Sequence, residues 1–197
     1  MAKEEHGNGA ASKVNDNIDA LMLEQRRLFI CDGIDQETAR DVIRKLWYLE
    51  HKDPGKPILL VINSPGGSVH AGFAIWDQVK LISSPVTTLV TGLAASMGSI
   101  LSLCAKKGRR LATPSATIMI HQPLLSGMIE GQATDLEIQA KEIIKMRNSL
   151  VHIYMDATGK TFDEIEKAID RDTWLTAEEA KEFGLIDRVV HSMDDLK

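Results

Sequence analysis

The sequence lacks most features that mark nucleic-acid-binding, redox and zinc proteins. Its 197 residues carry 23 Lys and Arg against 28 Asp and Glu, giving a formal net charge of −5 without a long basic run. Because phosphate binding needs a concentrated basic face, we expect no nucleic-acid partner. The two cysteines, Cys31 and Cys104, form no Cys-x-x-Cys pair and no disulfide framework, so we expect no metal and no cofactor.

Long apolar segments are also absent. The first 17 residues are rich in Lys, Glu, Gly, Asn and Ser and hold no apolar core of the kind a signal peptide needs. No stretch reaches the roughly 18 apolar residues required to span a bilayer. We therefore expect a cytoplasmic protein without a membrane partner, with residues 1–19 as a flexible N-terminal arm and residues 20–197 as one domain.

The chain contains no recognisable motif for ATP hydrolysis. Gly159-Lys160-Thr161 resembles the end of a phosphate-binding loop, but that motif requires a glycine where Tyr154 stands. The segment also follows a predicted long helix, whereas the phosphate-binding motif follows a strand. Gly159 is therefore interpreted as the C-cap of that helix.

Strand and helix patterns alternate along the chain, which favours an α/β domain with a largely parallel sheet. Apolar runs predict strands at 27–31, 57–62, 86–91, 116–120 and 186–190, the second of them buried on both faces. Helices are predicted at 35–51, from Ser68 to about 82, from Ser96 to about 107 and at 131–157. Two capping boxes, Thr161…Glu164 and Thr176…Glu179, begin two further helices.

The helix predicted at 131–157 is long for a domain of this size, at roughly 40 Å. Apolar residues lie on two of its sides, Leu136 and Tyr154 on one and Ile138 and Ile153 on the other. A helix with two apolar faces needs two packing partners. The second partner is either another part of the same domain or another subunit.

Four segments hold residues that together suit acyl transfer. Ser96 lies among small residues that let a strand turn sharply into a helix, as in a nucleophile elbow, although Ala94 replaces the first glycine of G-x-S-x-G. His121 ends an apolar strand, Asp172 precedes a helix, and the Gly66-Gly67 pair permits exposed backbone N–H groups. These segments supply a nucleophile, a base, an acid and an oxyanion site.

Each of these features also has a purely structural explanation. Ser96 suits a helix N-cap, and His121 suits a hydrogen-bonded structural histidine. Asp172 suits a cap or a surface charge, and the glycines suit a simple turn. Only their combination within one chain favours catalysis.

The sequence from about 21 to 190 is similar to the proteolytic subunit of the ATP-dependent Clp protease, the ClpP family. The resemblance is carried by Ile62-Asn63-Ser64-Pro65-Gly66-Gly67-Ser68, Gly92-Leu93-Ala94-Ala95-Ser96-Met97-Gly98, Met119-Ile120-His121-Gln122-Pro123, Gly131-Gln132-Ala133-Thr134-Asp135 and Asp170-Arg171-Asp172. It implies a crotonase-like α/β fold, a spiral of β-β-α units with a protruding handle helix.

The resemblance also implies a function for individual residues. Ser96 would be the nucleophile, His121 the general base and Asp172 the orienting acid, with the N–H groups of Gly67 and Met97 as the oxyanion hole. An extended substrate is expected to bind along two segments, one with Gly66, Ser68 and Val69 and the other with Pro123, Leu124 and Leu125. A switch that couples assembly to activity is expected to use Gln132, Asp170 and Arg171.

The partners implied by the resemblance are other subunits, an unfoldase and unfolded polypeptides. Two stacked seven-membered rings would enclose the active sites, built from this chain alone or mixed with a second, similar subunit. A hexameric AAA+ unfoldase would supply the missing ATPase, and Leu59 and Val61 stand where the family lines its docking groove. Two alternatives remain: a crotonase-type acyl-CoA enzyme, for which the chain is short, and a non-catalytic ring subunit.

Overall fold

A computed structural model describes residues 8–124 and 131–196, with side chains described from residue 14 onward. The helices are α1 (Asn8–Glu24), α2 (Gln36–Lys52), α3 (Val69–Leu81), α4 (Met97–Ser102), α5 (Ala133–Thr158), α6 (Phe162–Ile169) and α7 (Ala177–Phe183), followed by a 3₁₀ turn at Met193–Leu196. The strands are β1 (Arg27–Ile30), β2 (Ile58–Ser64), β3 (Val86–Ala95), β4 (Arg110–Ala112), β5 (Thr117–Ile120), β6 (Thr173–Thr176) and β7 (Arg188–Val189).

The strands form one sheet in the order β1-β2-β3-β4-β7, and every neighbouring pair along this path is parallel. Strand β5 pairs in parallel with the end of β3, and β6 pairs with β5 in the antiparallel sense. The described residues thus confirm the α/β class predicted from the alternation of strands and helices.

Strand β3 serves two different neighbours. Its residues 88–90 pair with β4 and its residues 93–95 pair with β5. The bend between them lies at Gly92, whose φ of 71° is in the left-handed region that favours glycine. Asn63 of β2 supports the bend, because its Oδ1 accepts the Leu93 N–H at 3.1 Å. The bend directs the end of β3 towards β5.

The hydrophobic core lies between the sheet and helices α2, α3, α4 and the C-terminal part of α5. Strand β2 shows how the sheet contributes, since Ile58, Leu60 and Ile62 are buried while Leu59 and Val61 are only partly buried. The prediction that this strand is buried on both faces is therefore wrong for the described chain. One face packs on helices and the other is partly open.

The N-terminal segment contains a helix that the sequence analysis does not predict. Helix α1 covers most of it, while residues 1–7 lie outside the described part. Val14, Ile18 and Leu21 recur at helical spacing and are about half exposed, at 56, 50 and 49 %. The polar composition of this segment masks that spacing, which explains why the sequence does not reveal the helix.

Three further elements differ from prediction. Helix α4 ends at Ser102 rather than near 107, and strands β4 and β6 are not predicted at all. Both strands are short, with three and four residues, and β4 begins with a charged Arg110. Such short strands carry too little apolar periodicity to be recognised and depend on their neighbours in the sheet.

Helix α5 is long, as predicted, but only its C-terminal half packs on the domain. Leu150, Val151 and Tyr154 are buried, whereas Ile138 and Ile144 are both 55 % exposed. At 26 residues the helix is about 39 Å long. Its N-terminal half therefore projects from the described chain with apolar side chains uncovered.

Candidate active site

The ends of four strands bring the candidate residues together. Ser96 follows β3, His121 follows β5, and the Gly66-Gly67 pair follows β2. Asp172 directly precedes β6, whose Thr173 pairs with Ile120 of β5 in antiparallel register. Extending that register by one residue sets Asp172 opposite His121. The short strand β6 is thus what positions the carboxylate.

The three polar side chains form a continuous hydrogen-bonded chain. His121 Nε2 lies 2.8 Å from Ser96 Oγ, and His121 Nδ1 lies 3.2 Å from Asp172 Oδ1. A neutral imidazole protonated on Nδ1 donates to the Asp172 carboxylate and leaves Nε2 to accept the Ser96 O–H. The His121 side chain is 11 % exposed and that of Asp172 is 58 % exposed. This geometry can activate a serine hydroxyl as a nucleophile.

The backbone of Ser96 is strained. Its φ of 55° makes it one of two non-glycine residues with positive φ in the described chain, the other being Arg26. Such a conformation costs on the order of 1–3 kcal/mol for a residue with a side chain. Ser96 occupies the N-cap position of α4, yet its side chain makes no capping hydrogen bond. The structural alternative of a simple N-cap serine is therefore not what the geometry shows.

Glycines allow the close packing around this turn. A Cβ atom on Gly66 would lie 2.7 Å from both the Ala95 carbonyl oxygen and Ser96 Cβ. A Cβ atom on Gly98 would lie 2.9 Å from the Ser64 carbonyl oxygen. The end of β2 and the β3–α4 turn thus approach each other at distances that only glycine permits.

Backbone N–H groups near Ser96 divide into two classes. The Ser96 N–H donates to the Met119 carbonyl at 2.9 Å, and the Gly66 N–H donates to Ser64 Oγ at 3.2 Å. Within the described residues, the N–H groups of Gly67 and Met97 donate to no other group of the chain. These two N–H groups are therefore available to an external oxygen atom.

Two buried hydroxyl groups beside Ser96 escape the sequence analysis. Ser99 Oγ donates to the Ser96 carbonyl at 2.7 Å and lies 2.7 Å from the Tyr154 hydroxyl. Since Ser99 uses its proton on the carbonyl, Tyr154 donates to Ser99. Burial raises the pKa of Tyr154 and outweighs the hydrogen bond to Ser99. The one sequence signal is that a buried tyrosine on an apolar stripe must find a polar partner.

A cavity of about 210 Å³ opens beside Ser96 and His121. Five residues predicted to bind or stabilise substrate line it: Gly67, Val69, Met97, Pro123 and Leu124. Five residues that the sequence analysis did not assign to the site also line it: Pro65, Ile100, Met119, Leu150 and Tyr154. Most of the residues that line it have apolar side chains, which suits contact with an apolar side chain.

The other predicted substrate-binding residues have different positions. Gly66 packs under Ser96, and Ser68 caps α3 by accepting the Ala71 N–H at 3.3 Å. Leu125 lies outside the described residues. An extended substrate could still pair with the backbone of Gly67, Ser68 and Val69, since side chains are not needed for such pairing.

The residues assigned to an assembly switch lie at the surface of the single chain. The Asp170 and Arg171 side chains are 67 and 92 % exposed, with Arg171 Nε 3.8 Å from Asp170 Oδ2. Gln122 Nε2 donates to the Asp170 carbonyl at 3.2 Å, which ties this loop to the residue after His121. Gln132 is the N-cap residue of α5 and makes no side-chain capping bond.

The described residues contain neither a cluster of metal ligands nor a membrane-spanning helix. In 8–124 and 131–196, no group of three or more His, Cys, Asp or Glu side chains is arranged to hold a metal ion. No helix in the same residues is both long enough and apolar enough to cross a bilayer.

Comparison with known proteins identifies the family of this chain. A protein-family model described as Clp protease matches residues 9–193. The chain belongs to the Clp protease family. This Clp protease chain is 68 % identical over 186 residues to the "ATP-dependent Clp protease proteolytic subunit 1" of Protochlamydia amoebophila, covering 94 % of the chain and 90 % of the relative.

Two further relatives extend the comparison of the Clp protease chain. The protein of the same name in Chlamydia pneumoniae is 60 % identical over 188 residues, which cover 95 % of the chain and 98 % of the relative. The "ATP-dependent Clp protease proteolytic subunit 2" of Prochlorococcus marinus is 49 % identical over 166 residues, covering 84 % of the chain and 82 % of the relative. The family resemblance predicted from the sequence motifs is thereby confirmed, and no comparison favours an acyl-CoA enzyme.

Proposed function

We propose that this Clp protease chain is a serine endopeptidase subunit that hydrolyses unfolded polypeptides inside a ring-shaped chamber. It serves protein quality control and turnover in the cytoplasm. The peptidase is a single domain of residues 20–197. The observation that carries the proposal is the Ser96–His121–Asp172 hydrogen-bond chain beside two unpaired backbone N–H groups. ATP hydrolysis belongs to a separate unfoldase chain.

The chemistry follows from the roles of the three side chains. Ser96 Oγ attacks the peptide carbonyl while His121 Nε2 takes its proton, and Asp172 stabilises the imidazolium that forms. The N–H groups of Gly67 and Met97 stabilise the oxyanion. His121 then protonates the leaving amine, and an acyl group remains on Ser96. A water molecule, deprotonated by His121, hydrolyses this ester and regenerates the enzyme.

Substrate binding uses the backbone and the apolar cavity. An extended peptide pairs with Gly67-Ser68-Val69 on one side and with 123–125 on the other. The side chain before the cleaved bond enters the 210 Å³ cavity, whose lining includes Val69, Met119 and Leu150. The lining supports a preference for apolar side chains at this position.

Assembly encloses the site. The uncovered apolar side chains on the N-terminal half of α5 support packing against another subunit, because an isolated helix would not keep them in water. We propose two stacked seven-membered rings, made of this chain or mixed with a similar subunit. Gln132, Asp170 and Arg171 lie at or near that contact and form its switch.

A second cavity supports docking of an AAA+ unfoldase. It measures about 880 Å³ and lies where β1, β2 and β3 begin, away from Ser96. Leu59, which the family resemblance assigns to the docking groove, lines it together with Arg27, Arg109 and Arg188. Docking at this face would deliver unfolded chains without blocking the active site.

A fluorophosphonate probe with intact-protein mass analysis tests the peptidase assignment. The probe should add one adduct at Ser96, and the Ser96→Ala variant should remain unlabelled. A wild-type protein that forms rings but takes up no probe would instead be a non-catalytic ring subunit. Native mass spectrometry of the same sample gives the number of subunits.

A further inference from the structure

Gly72 lies in the first turn of α3, where glycine is unfavourable. A glycine inside a helix is less favourable than an alanine, because glycine loses more backbone freedom on folding. Its backbone angle does not require glycine, since its φ is not among the positive values of the described chain. Another feature must therefore account for the absence of a side chain here.

The side chain of Met97 fills the space that a Gly72 side chain would occupy. A Cβ atom built on Gly72 would lie 2.3 Å from Met97 Cγ, 2.4 Å from its Cε and 2.8 Å from its Sδ. Met97 is 2 % exposed and belongs to the hydrophobic core, so its side chain cannot move into solvent. A methyl group at position 72 would force the flexible Met97 side chain to repack within the core, and such overpacking is relieved by off-rotamer side chains and small backbone shifts.

The backbone of Gly72 is also tied to the other side of the oxyanion site. Its N–H donates to the Ser68 carbonyl at 3.0 Å, one residue after Gly67. Ser68 in turn donates its N–H to the Ile34 carbonyl at 2.7 Å, which fixes the loop. Gly72 therefore contacts, on one side, the residue next to Gly67 and, on the other, Met97 itself.

We propose that Gly72 is a positioning residue that sets the separation of the Gly67 and Met97 N–H groups; this inference rests on the peptidase function proposed above. The distance between these donors matters only when charge develops on the substrate oxygen. Displacing Met97 should therefore lower kcat while leaving KM nearly unchanged.

The test compares Gly72→Ala, Met97→Ala and the double variant in the assembled full-length protein on a short fluorogenic peptide. Gly72→Ala should lower kcat about 10- to 100-fold, short of the roughly 10²- to 10³-fold loss typical of removing one oxyanion donor. In the Met97→Ala background the same change should lower kcat less than threefold, because the obstructed side chain is gone. Gly72→Ala should unfold at a somewhat lower temperature than the wild type, because overpacking beside the buried Met97 outweighs the helix preference of alanine.

Gly33→Ala is the matched control. A Cβ atom at Gly33 would meet only the Gly66 carbonyl oxygen at 3.9 Å, an ordinary contact, so this variant should keep its kcat. The inference is overturned if Gly72→Ala keeps its kcat, or if its loss is the same with and without the Met97 side chain. A wild-type protein that neither cleaves peptide nor reacts with fluorophosphonate would overturn the peptidase proposal instead.

Discussion

Tyr154 of α5 and Ser99 of α4 are joined through their hydroxyl groups, 2.7 Å apart in the buried interior. The Ser99 hydroxyl group also donates a hydrogen bond to the Ser96 carbonyl. Two hydrogen bonds therefore link the long helix to the backbone of the nucleophile. The C-terminal half of α5 thereby supports the strained turn at Ser96, while its N-terminal half projects from the domain.

Removing the Tyr154 hydroxyl should weaken this support. We expect Tyr154→Phe to lower the free energy of unfolding by about 1 kcal/mol, the usual net value of a buried hydrogen bond. It should also lower kcat several-fold, because Ser99 loses the donor that holds it against Ser96. Unfolding by urea and steady-state kinetics measure the two effects, and a stability loss with unchanged kcat would show that the pair serves folding only.

Substituting the nucleophile should separate catalysis from folding. Ser96→Ala should lower peptide hydrolysis about 10⁴-fold or more, as expected for loss of a member of a catalytic triad. The Ser96 side chain makes no capping bond to α4, so the variant should fold and assemble like the wild type. Retention of more than a tenth of the wild-type rate on a fluorogenic peptide would refute the assignment.

The buried ion pair of Arg110 and Asp187 should make stability depend on pH. Burial of Asp187 opposes its ionisation, but hydrogen bonds from the Arg110 side chain and backbone dominate and hold its pKa below the ordinary value of 3.8. Arg110 Nη2 lies 2.6 Å from Asp187 Oδ1, and the two side chains are 4 and 11 % exposed. Because the folded pKa is depressed, this stabilisation is present above pH 3.8 and is lost as the pH falls further.

Asp187→Asn tests this pair. The variant should lose about 3–5 kcal/mol at neutral pH, because Arg110 is left as an uncompensated buried charge. The difference from wild type should shrink as the pH falls below about 4, because the carboxyl group of the unfolded wild-type chain is protonated there while that of the folded chain stays ionised to a lower pH. Urea unfolding at fixed protein concentration gives both values, and a pH-independent difference would contradict the ionic role.

The sequence predicts those parts of the structure that depend on local residue patterns better than those that depend on contacts between distant segments. Ser96, His121 and Gly67 stand at the ends of strands with clear apolar runs, and their placement could be predicted. The position of Asp172 depends on β6, a four-residue strand that forms only against β5. Such long-range pairing leaves no local pattern in the sequence.

The supporting residues were harder to predict for a related reason. Ser99, Tyr154 and Gly72 act through contacts between elements distant in sequence, such as the 55-residue separation of Ser99 and Tyr154. A glycine in a helix signals only that space is needed, and the neighbour that fills the space is known only from the fold. Composition and periodicity predicted the elements, whereas the packing between them had to be observed.

Assembly should control activity through Arg171. The Arg171 side chain is 92 % exposed in the single chain, and among the described residues its ion pair is with Asp170, at 3.8 Å; the next residue is Asp172. A contact from another subunit that holds Arg171 would also fix Asp172, whose side chain is 58 % exposed, and with it the orientation of His121. We propose a disorder-to-order switch, in which subunit contact would stabilise the competent arrangement. Arg171→Ala should shift the population towards single rings and lower hydrolysis in proportion.

Size-exclusion chromatography with an activity assay on each fraction measures this coupling. Lys181→Ala is the matched control, because Lys181 is also an exposed surface cation in a loose ion pair, at 3.5 Å from Glu178, but lies on α7 rather than beside Asp172. The control should keep the wild-type elution profile and rate. Surface ion pairs contribute roughly 0–1 kcal/mol to folding, so the two variants should be equally stable and differ only in assembly and activity. Full specific activity in single rings or monomers of the wild type or of Arg171→Ala would show that the triad is competent without ring contact. Arg171 would then not act as its switch.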